Sequence, residues 1–314
     1  MLQVQNISFG YTDKPIIQDI SFTIHKGQNV SVIGESGCGK STLLKLIYGL
    51  YDLDKGNILW EGFEVLGPKF HLVPGMPFMK YMAQDFDLMP YITVAENVGK
   101  YISNENIEFK KQRTQELLEI VEMTDYANIK VQFLSGGQQQ RVAVARVLAL
   151  EPEVLLLDEP FSHIDNFRKN ALRRNLFAYL KAKGITCIVA THDSTDALSF
   201  ADETLVLQDG ELIQKGNPIA IYNHPESKYA ASLFGEVNEL QLSQLTTIKG
   251  EDQALLLYPH QLKISENGML KAVVKHSYFK GSHYLIKAVY ERKIIFFDND
   301  SELEMNIEVS LIMV

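Results

Sequence analysis

A glycine-rich run near residue 35 has the residue types and the spacing of a phosphate-binding loop. The pattern G-x-x-x-x-G-K-[ST] is met by Gly34-Glu35-Ser36-Gly37-Cys38-Gly39-Lys40-Ser41, and Thr42 follows it. The glycines let successive backbone N–H groups curve around phosphate oxygens, and Lys40 can reach the β- and γ-phosphates. The Ser41 hydroxyl can ligate Mg²⁺. A plain glycine-rich turn is the alternative, but a short β-rich run precedes this loop and a helical pattern follows it, as phosphate binding requires.

Two adjacent carboxylates follow an apolar run in the middle of the chain. The run Val154-Leu155-Leu156-Leu157 is typical of a buried strand, and Asp158 and Glu159 come at its end. At a sheet edge beside the phosphates, Asp158 can hold Mg²⁺, and Glu159 can orient and deprotonate an attacking water. In isolation, two solvated acids at a strand end are the commoner outcome. The phosphate-binding loop upstream favours the catalytic interpretation.

Strands and helices must alternate to bring these residues to one edge of a sheet. Apolar runs at 30–33, 154–157 and 185–190 predict buried strands, and 42–48 and 171–183 predict helices. Alternating apolar and polar side chains in the first 24 residues predict antiparallel strands. The sequence therefore predicts an α/β fold class with a parallel sheet.

A second glycine-rich run lies between the loop and the carboxylates. It reads Leu134-Ser135-Gly136-Gly137-Gln138-Gln139-Gln140-Arg141 and opens a helix predicted over 138–150, whose N-terminus would present further backbone N–H groups. By itself the run is typical of a helix cap, with Ser135 as the N-cap. In order with the other two motifs, it resembles the signature of the ATP-binding-cassette (ABC) ATPases, which are P-loop NTPases.

The resemblance implies a shared active site. In ABC ATPases two copies pair head to tail, and each signature caps the γ-phosphate that the other copy binds. By this resemblance the chain is a homodimer with ATP and Mg²⁺ as cofactors, and Ser135, Gly136, Gly137 and Gln138 act in trans.

Further positions match the family one by one. Gln84 matches the glutamine that touches Mg²⁺ and links to the membrane partner, and His192 matches the switch histidine that contacts the γ-phosphate. Tyr11 matches the aromatic residue that stacks on adenine; Phe9 competes for that role, but its period-2 spacing favours core packing. Asp165 matches the family's D-loop, in which relatives usually have a small residue or Asn where this chain has His163.

The expected site residues form three groups. Those with a part in the reaction are Glu159, His192, Lys40 and Gln84. Those that contact the nucleotide are Tyr11, Gly34, Glu35, Ser36, Gly37, Cys38, Gly39, Lys40, Ser41, Thr42 and, from the other copy, Ser135, Gly136, Gly137, Gln138 and Asp165. Those at Mg²⁺ are Ser41, Gln84 and Asp158.

Composition narrows the cellular compartment and the classes of partner. The formal net charge is −9, which disfavours a nucleic-acid surface, because phosphate contacts need clustered Lys and Arg. Two cysteines and no signal-peptide pattern favour a reducing compartment. No apolar stretch is long enough to span a membrane. We therefore expect a peripheral protein at the cytoplasmic face of the inner (plasma) membrane, acting through membrane partners.

The sequence changes character after about residue 235. We expect a nucleotide-binding domain over 1–235, with a helical subdomain at about 85–150, and a small all-β domain over 236–314. Tyr258-Pro259-His260 and the following residues resemble the oligonucleotide-binding-fold-like (TOBE) tail of importer ATPases, although relatives usually have Arg-Pro-Glu there. Importers with such tails carry iron(III), polyamines, oxyanions or sugars.

The favoured hypothesis is the ATPase subunit of a bacterial importer. Its partners would be transmembrane permease subunits and, indirectly, an extracytoplasmic substrate-binding protein. The alternatives are a soluble ABC ATPase of DNA repair or translation, an exporter cassette, and a P-loop small-molecule kinase. The soluble ABC proteins usually carry a coiled-coil insertion or two cassettes, the paired Asp158 and Glu159 disfavour a kinase, and only the tail disfavours an exporter.

Overall fold

The computed structural model describes residues 1–71, 73–245 and 253–314. It divides into two compact units, Met1–Ala220 and Ile221–Val314, each with its own buried apolar clusters. Within the described part of the chain, no helix combines the length and the apolar character needed to cross a membrane.

The strands of the first unit form two sheets. In chain order they are β1 (Leu2–Phe9), β2 (Ile17–Ile24), β3 (Asn29–Ile33), β4 (Lys55–Trp60), β5 (Phe63–Glu64), β6 (Met79–Met82), β7 (Val154–Asp158), β8 (Thr186–Thr191), β9 (Glu203–Gln208) and β10 (Glu211–Gly216). One sheet is antiparallel with the order β2-β1-β4-β5, and the other has the order β10-β9-β3-β8-β7-β6. In the second sheet β9, β3, β8, β7 and β6 are parallel, and β10 is antiparallel to β9. The predicted α/β class with a parallel sheet is confirmed.

Helices are interspersed with the strands along the first unit, and two short helices lie at and after the boundary between the units. They are α1 (Lys40–Ile47), α2 (Val94–Gly99), α3 (Ile107–Ile120), α4 (Gly136–Leu148), α5 (Asn166–Lys183) and α6 (Ser194–Phe200), followed by α7 (Pro218–Asn223) and α8 (Lys228–Ser232). Short 3₁₀ turns occur at Thr124–Tyr126 and Val131–Phe133. Helices α2, α3 and α4 contact one another, and their combined span of 94–148 lies within the helical region predicted at about 85–150.

The central strands β3, β7 and β8 are buried at every position and mostly apolar, because both faces of the sheet are covered there. All five residues of β7 are buried. Leu155 and Leu157 belong to the apolar cluster that includes α4 and α5, whereas Val154 and Leu156 belong to the cluster that includes α1 and the antiparallel sheet. The carboxyl ends of β3, β7 and β8 therefore reach one sheet edge, where their following loops carry the predicted chemistry.

The second unit is β-rich. Its strands are β11 (Asn238–Gln241), β12 (Ala254–Leu257), β13 (Leu262–Ile264), β14 (Leu270–Phe279), β15 (Tyr284–Tyr290), β16 (Lys293–Asn299) and β17 (Glu308–Met313). A five-stranded antiparallel sheet has the order β13-β17-β14-β15-β16, and β11 pairs with β12. The Asn238 side chain donates to the Phe296 carbonyl and accepts from the Phe296 N–H, both at 2.7 Å, and so occupies the free edge of β16.

In the structure the first unit ends at Ala220 and the second begins at Ile221. The sequence pattern instead predicts a domain boundary between residues 235 and 236. Residues 221–235 belong to the second unit because their side chains pack there. The Tyr222 ring stacks on Tyr258 with centroids 4.3 Å apart, and the Tyr258 hydroxyl donates to the Ala231 carbonyl. These short helices precede the β-rich change in composition, so the sequence pattern did not assign them to the tail.

Candidate nucleotide-binding site

The glycine-rich loop turns sharply between β3 and α1. Gly37 and Gly39 have φ of 87° and 108°, in the region that side-chain-bearing residues rarely adopt. The loop therefore needs glycine at both positions to direct its N–H groups into one concave surface. Helix α1 begins at Lys40, two residues before the predicted start, so its N-terminal partial positive charge lies at the loop itself.

Lys40 is held within the loop that it follows. Its ammonium group donates to the carbonyls of Gly34 at 2.7 Å and Glu35 at 2.8 Å, and the residue is only 7% exposed. Cys38 is also buried, and this burial raises the pKa of its thiol. The loop thus concentrates one cation and a set of backbone donors, which together suit a bound polyphosphate.

Asp158 ends β7 and faces two hydroxyl donors. Ser41 donates to its Oδ1 at 2.9 Å, and Tyr81, on the neighbouring strand β6, donates to its Oδ2 at 3.1 Å. Burial raises the pKa of the Asp158 carboxyl, although both hydrogen bonds oppose the change. Burial and the nearby Asp158 charge likewise raise the pKa of the Tyr81 phenol, which stays a donor.

Glu159 and His192 are in direct contact. The His192 Nδ1 atom lies 2.9 Å from Glu159 Oε1 and 2.8 Å from Oε2. Glu159 has a φ of 52°, an unusual left-handed conformation for a residue with a side chain. His192 is exposed, whereas Glu159 is largely enclosed. The contact lies between the carboxyl ends of two adjacent parallel strands, β7 and β8.

A buried ion network supports the loop that carries His192. Arg173 of α5 contacts Asp193 Oδ2 and Asp196 Oδ1, each at 2.6 Å, and Thr191 donates to Asp196 Oδ2 at 2.7 Å. Arg173 and Asp196 are both nearly inaccessible to solvent. The residues on either side of His192 are therefore tied to a long helix, which restricts where the imidazole can lie.

Tyr11 is a half-exposed ring with a fixed orientation. It packs edge-on against Phe9 at 5.0 Å and Tyr51 at 5.3 Å, and its hydroxyl lies 3.3 Å from Thr42 Oγ1. Phe9 is 8% exposed and belongs to the core, whereas Tyr11 is 51% exposed. Of the two aromatic residues, only Tyr11 offers an open surface beside the loop.

One cavity brings nine of the nineteen predicted site residues together. It has a volume of about 420 Å³ and is called the phosphate-loop cavity below. Its walls are Tyr11, Ile16, Ser36, Gly37, Gly39, Lys40, Ser41, Thr42, Gln84 and Glu159. Asp158 and His192 adjoin it through their contacts with Ser41 and Glu159. Gly34, Glu35 and Cys38 lie in the same loop but do not line the cavity.

The second glycine-rich run opens a different cavity. This signature cavity, about 530 Å³ in volume, is lined by Tyr126, Ser135, Gly136, Gly137, Gln138, Arg141, His163, Ile164, Asp165 and Arg168. Helix α4 begins at Gly136, earlier than predicted, with Ser135 as its N-cap. The Ser135 hydroxyl accepts from the Gln138 N–H at 3.4 Å, and the Gln138 side chain accepts from the Ser135 N–H at 2.9 Å. The helix-cap interpretation of this run is therefore correct for the isolated chain.

Glycine at position 137 is required by a close backbone approach. A Cβ atom there would lie 2.6 Å from the His163 carbonyl oxygen. At Gly136 the nearest such atom, His163 Cβ, is 4.0 Å away. Gly137 thus lets the start of α4 pack against the turn that carries His163 and Asp165.

Comparison with known proteins identifies the family. Residues 17–162 match a family model described as ABC transporter. The chain is 36% identical over 253 residues to a protein named spermidine/putrescine import ATP-binding protein PotA from Pasteurella multocida, and this match covers 79% of the chain and 66% of the relative. It is 33% identical over 306 residues to the protein of that name from Clostridium novyi, covering 90% and 87%. The chain belongs to the ATP-binding proteins of ABC transporters.

The solved structures agree with this assignment. A dimeric ABC protein, MJ0796, in a post-hydrolysis state with ADP and Pi, matches with a TM-score of 0.61 and 29% identity over 69% of this chain and 99% of that one. The predicted ABC ATPase fold is therefore confirmed, and so is ATP as the nucleotide of the family. The matched stretch spans just under two thirds of the Pasteurella relative's length.

Several side chains of the ABC site were not predicted from the sequence. Tyr51 packs against Tyr11, and Tyr81 donates to Asp158. Arg173 contacts Asp193, next to His192, and Gln140 donates to the Glu159 carbonyl. Each acts through a contact between residues distant in sequence. The available signal was weak: Gln140 and Arg173 are polar residues at inward positions of their helices, α4 and α5.

Proposed function

We propose that this chain is the ATP-hydrolysing subunit of an ABC importer and that two copies share two composite sites. The observation that carries the proposal is the separation of the two cavities within one chain. The phosphate-loop cavity is lined by Lys40 and Glu159, which His192 contacts, whereas the signature cavity contains an exposed helix N-terminus. Each supplies what the other lacks, so a second copy of the chain would complete both.

In the phosphate-loop cavity, each group has a chemical role that follows from its position. Lys40 and the α1 N-terminus offset the charge of the β- and γ-phosphates. Glu159 takes the proton of the attacking water as the bond from the γ-phosphorus to the β–γ bridging oxygen breaks. His192 contacts the Glu159 carboxylate and would position it, and Tyr11 would offer its half-exposed ring to adenine.

The residues present suit Mg²⁺. Among the described residues, no cluster of three or more His, Cys, Asp or Glu side chains could enclose a metal. Mg²⁺ keeps several waters and binds through one or two protein oxygens plus substrate phosphates. Ser41 Oγ and Asp158 Oδ1, 2.9 Å apart, provide such oxygens, and Gln84 lines the same cavity. The ion would offset phosphate charge there.

The signature cavity would act on the neighbour's nucleotide. Ser135, Gly136, Gly137 and Gln138 place the N-terminus of α4 at an open cavity, which suits an oxyanion. Asp165 lines the same cavity on the turn before α5. Closure on ATP and reopening after hydrolysis would then move attached permease subunits.

A mixing experiment tests the shared site. Ser135→Arg blocks the signature of one copy, and Glu159→Gln removes the base of the other, so each variant alone is inactive. Monomers of both are mixed before ATP is added. Half of randomly formed pairs are mixed, and each mixed pair holds one intact composite site, so we expect about a quarter of the parental hydrolysis rate. A rate no higher than that of the separate variants contradicts sharing in trans.

For the cargo, we propose a polyamine. The supporting observation is that both relatives described above are named as spermidine/putrescine import ATP-binding proteins. The β-rich second unit would be the TOBE-like tail of such importers. In this arrangement the chain lies at the cytoplasmic face of the plasma membrane, bound to permease subunits that receive cargo from an extracytoplasmic binding protein.

Uptake measurements test the cargo. Cells that lack this chain should lose uptake of radiolabelled spermidine and regain it with the parental chain. The Lys40→Ala variant should restore none. Normal spermidine uptake in the deletion strain, together with loss of iron(III) or sulfate uptake, would assign a different cargo without affecting the proposed ATPase.

A further inference from the structure

Gln140 lies one turn beyond the signature residues on α4 and is fully buried, at 1% exposure. Its side-chain amide is completely engaged with the turn that follows β7. The Nε2 atom donates to the Glu159 carbonyl at 2.8 Å and to Ser162 Oγ at 3.2 Å, and Oε1 accepts from the His163 N–H at 3.0 Å. One side chain thus bridges the signature helix and the turn that carries the proposed catalytic base.

The Glu159 backbone needs such support. Its left-handed φ of 52° is unfavourable for a residue with a Cβ. Its N–H donates to the Ala190 carbonyl at 2.9 Å, and its carbonyl accepts from Ser162 Oγ at 3.1 Å as well as from Gln140. These bonds fix the direction in which the Glu159 side chain leaves the backbone.

We propose that Gln140 is a positioning residue that couples the two composite ATP sites. The inference rests on the proposed function, in which Glu159 is the base and the signature acts in trans. Gly137 and Gln140 are three residues apart, about 4.5 Å along the axis, within a single hydrogen-bonded helix. When the signature meets the neighbour's γ-phosphate, a shift of α4 reaches the backbone of this chain's own Glu159 through the Gln140 amide.

The close packing of the same region supports the coupling. Gly137 lies against the His163 carbonyl, and the His163 ring packs edge-on against Phe86 at 5.5 Å. The start of α4 therefore touches the turn at two places, Gly137 and Gln140. A displacement of the helix cannot be absorbed without moving the turn, because a well-packed interior has no free volume between them.

Two substitutions and a matched control test the proposal. Gln140→Met keeps the length of the side chain and removes all three hydrogen bonds. Gln140→Glu keeps an acceptor for the His163 N–H but loses the donor to the Glu159 carbonyl. Gln139→Met is the control, because Gln139 is the adjacent residue and donates only to the Leu134 carbonyl, at 3.0 Å. The measurements are the Kd of ATP for the monomer, kcat, the Hill coefficient of hydrolysis against ATP, and the thermal midpoint.

Both Gln140 variants should keep the parental ATP Kd within about twofold and lose about 10- to 100-fold in kcat, since small misplacement of a reacting group is costly. Their Hill coefficients should fall towards 1, and Gln139→Met should behave as the parent. A joint loss of ATP affinity, thermal midpoint and kcat with an unchanged Hill coefficient would mean a structural role only and overturns the proposal. If Gln140→Met does not fold, Gln140→Glu decides.

These variants distinguish failure of the Gln140 proposal from failure of the proposed function. If Glu159→Gln hydrolyses ATP at the parental rate, the proposed base is wrong. If Glu159→Gln is inactive and both Gln140 variants retain parental kcat and Hill coefficient, only the positioning role of Gln140 is wrong.

Discussion

The two cavities of the first unit are built from the same device and differ in what surrounds it. Each has a glycine-rich turn that leads into the N-terminus of a helix, α1 in one and α4 in the other. The phosphate-loop cavity adds Lys40 and the Glu159 carboxylate, which His192 contacts from outside the lining. The signature cavity adds only Asp165 as a carboxylate, beside Arg141 and Arg168.

The difference shows that a helix N-terminus alone does not define a catalytic site. Both helices present backbone N–H groups, but of the two cavities only the phosphate-loop cavity has Lys40 and Glu159, the proposed base, in its lining. At the start of α4 the Ser135 and Gln138 side chains satisfy each other, so in the isolated chain the signature is a stable helix cap. The two helix N-termini therefore differ in the side chains that lie beside them.

Removal of the proposed base, Glu159, should have the largest effect. It tests the role proposed for the phosphate-loop cavity. We expect Glu159→Gln to lower kcat by about 10²–10⁴-fold, because it removes general-base catalysis. Binding of ATP should persist, since Lys40 and the loop donors remain, and the stalled protein should accumulate as a dimer. Phosphate release and size-exclusion chromatography with light scattering measure both. Glu64→Gln, at an exposed carboxylate of β5, should leave both unchanged.

The two signature glycines provide a second test, through stability alone. In Gly137→Ala the new Cβ would meet the His163 carbonyl at 2.6 Å, so we expect a loss of about 1–3 kcal/mol in the free energy of unfolding. Gly136→Ala has room and should be neutral or stabilising by up to about 1 kcal/mol. Urea unfolding of the nucleotide-free chain measures this. Equal effects at both positions would contradict the packing of α4 on the His163 turn.

Much of the fold could be predicted because its signals are local. The apolar run of β7 and the loop before α1 each carry a short, complete pattern, and both were placed correctly. Helix α5 was predicted to begin at residue 171, yet it begins at Asn166, directly after Asp165. Its first turn has no apolar periodicity, so the pattern did not reveal it. Strand β6 was also missed, because its four residues are too few for a clear alternation.

The site was predicted in outline, whereas its supporting contacts were not. Motif spacing pointed to Lys40, Asp158 and Glu159, because each lies in a short run of consecutive residues with a recognisable pattern. The contact of Tyr81 with Asp158 spans 77 positions, and that of Arg173 with Asp193 spans 20. Such pairs depend on strand order and helix packing, which a single sequence does not specify. The roles expected for all of these site residues, Tyr11 and Gln84 included, stay predictions.

The cap at the start of α4 gives a third, smaller test. Ser135→Ala should cost about 1 kcal/mol of stability, because the Gln138 N–H loses its side-chain acceptor. Ser135→Asp restores a good N-cap and should recover that stability, yet it directs a negative charge at the neighbour's γ-phosphate and should slow hydrolysis. Thermal unfolding and ATPase rates separate the two roles. Parental hydrolysis by Ser135→Asp would argue against the signature contact with phosphate.

The smallest expected effect concerns Cys38, the thiol in the phosphate-binding loop. Burial raises its pKa above the ordinary value, so at pH 7 the reactive thiolate is scarcer than in a free cysteine. We expect alkylation by iodoacetamide to be slow at pH 7, to accelerate as the pH rises beyond the range of an unperturbed thiol, and to slow again when ATP is present.

Cys187 is the internal control for this experiment. It lies in β8 with no exposed surface, and burial raises its pKa strongly, so it should react more slowly than Cys38 at every pH and without any response to ATP. Peptide mass spectrometry resolves the two sites in one sample. The lining of the signature cavity contains no cysteine, so ATP protection of Cys38 in the monomer reports binding at the phosphate-binding loop alone. Protection that appears only when dimers form would instead mean that the phosphate-binding loop needs the second copy of the chain to bind ATP. That result would contradict the proposal that the phosphate-loop cavity binds ATP by itself.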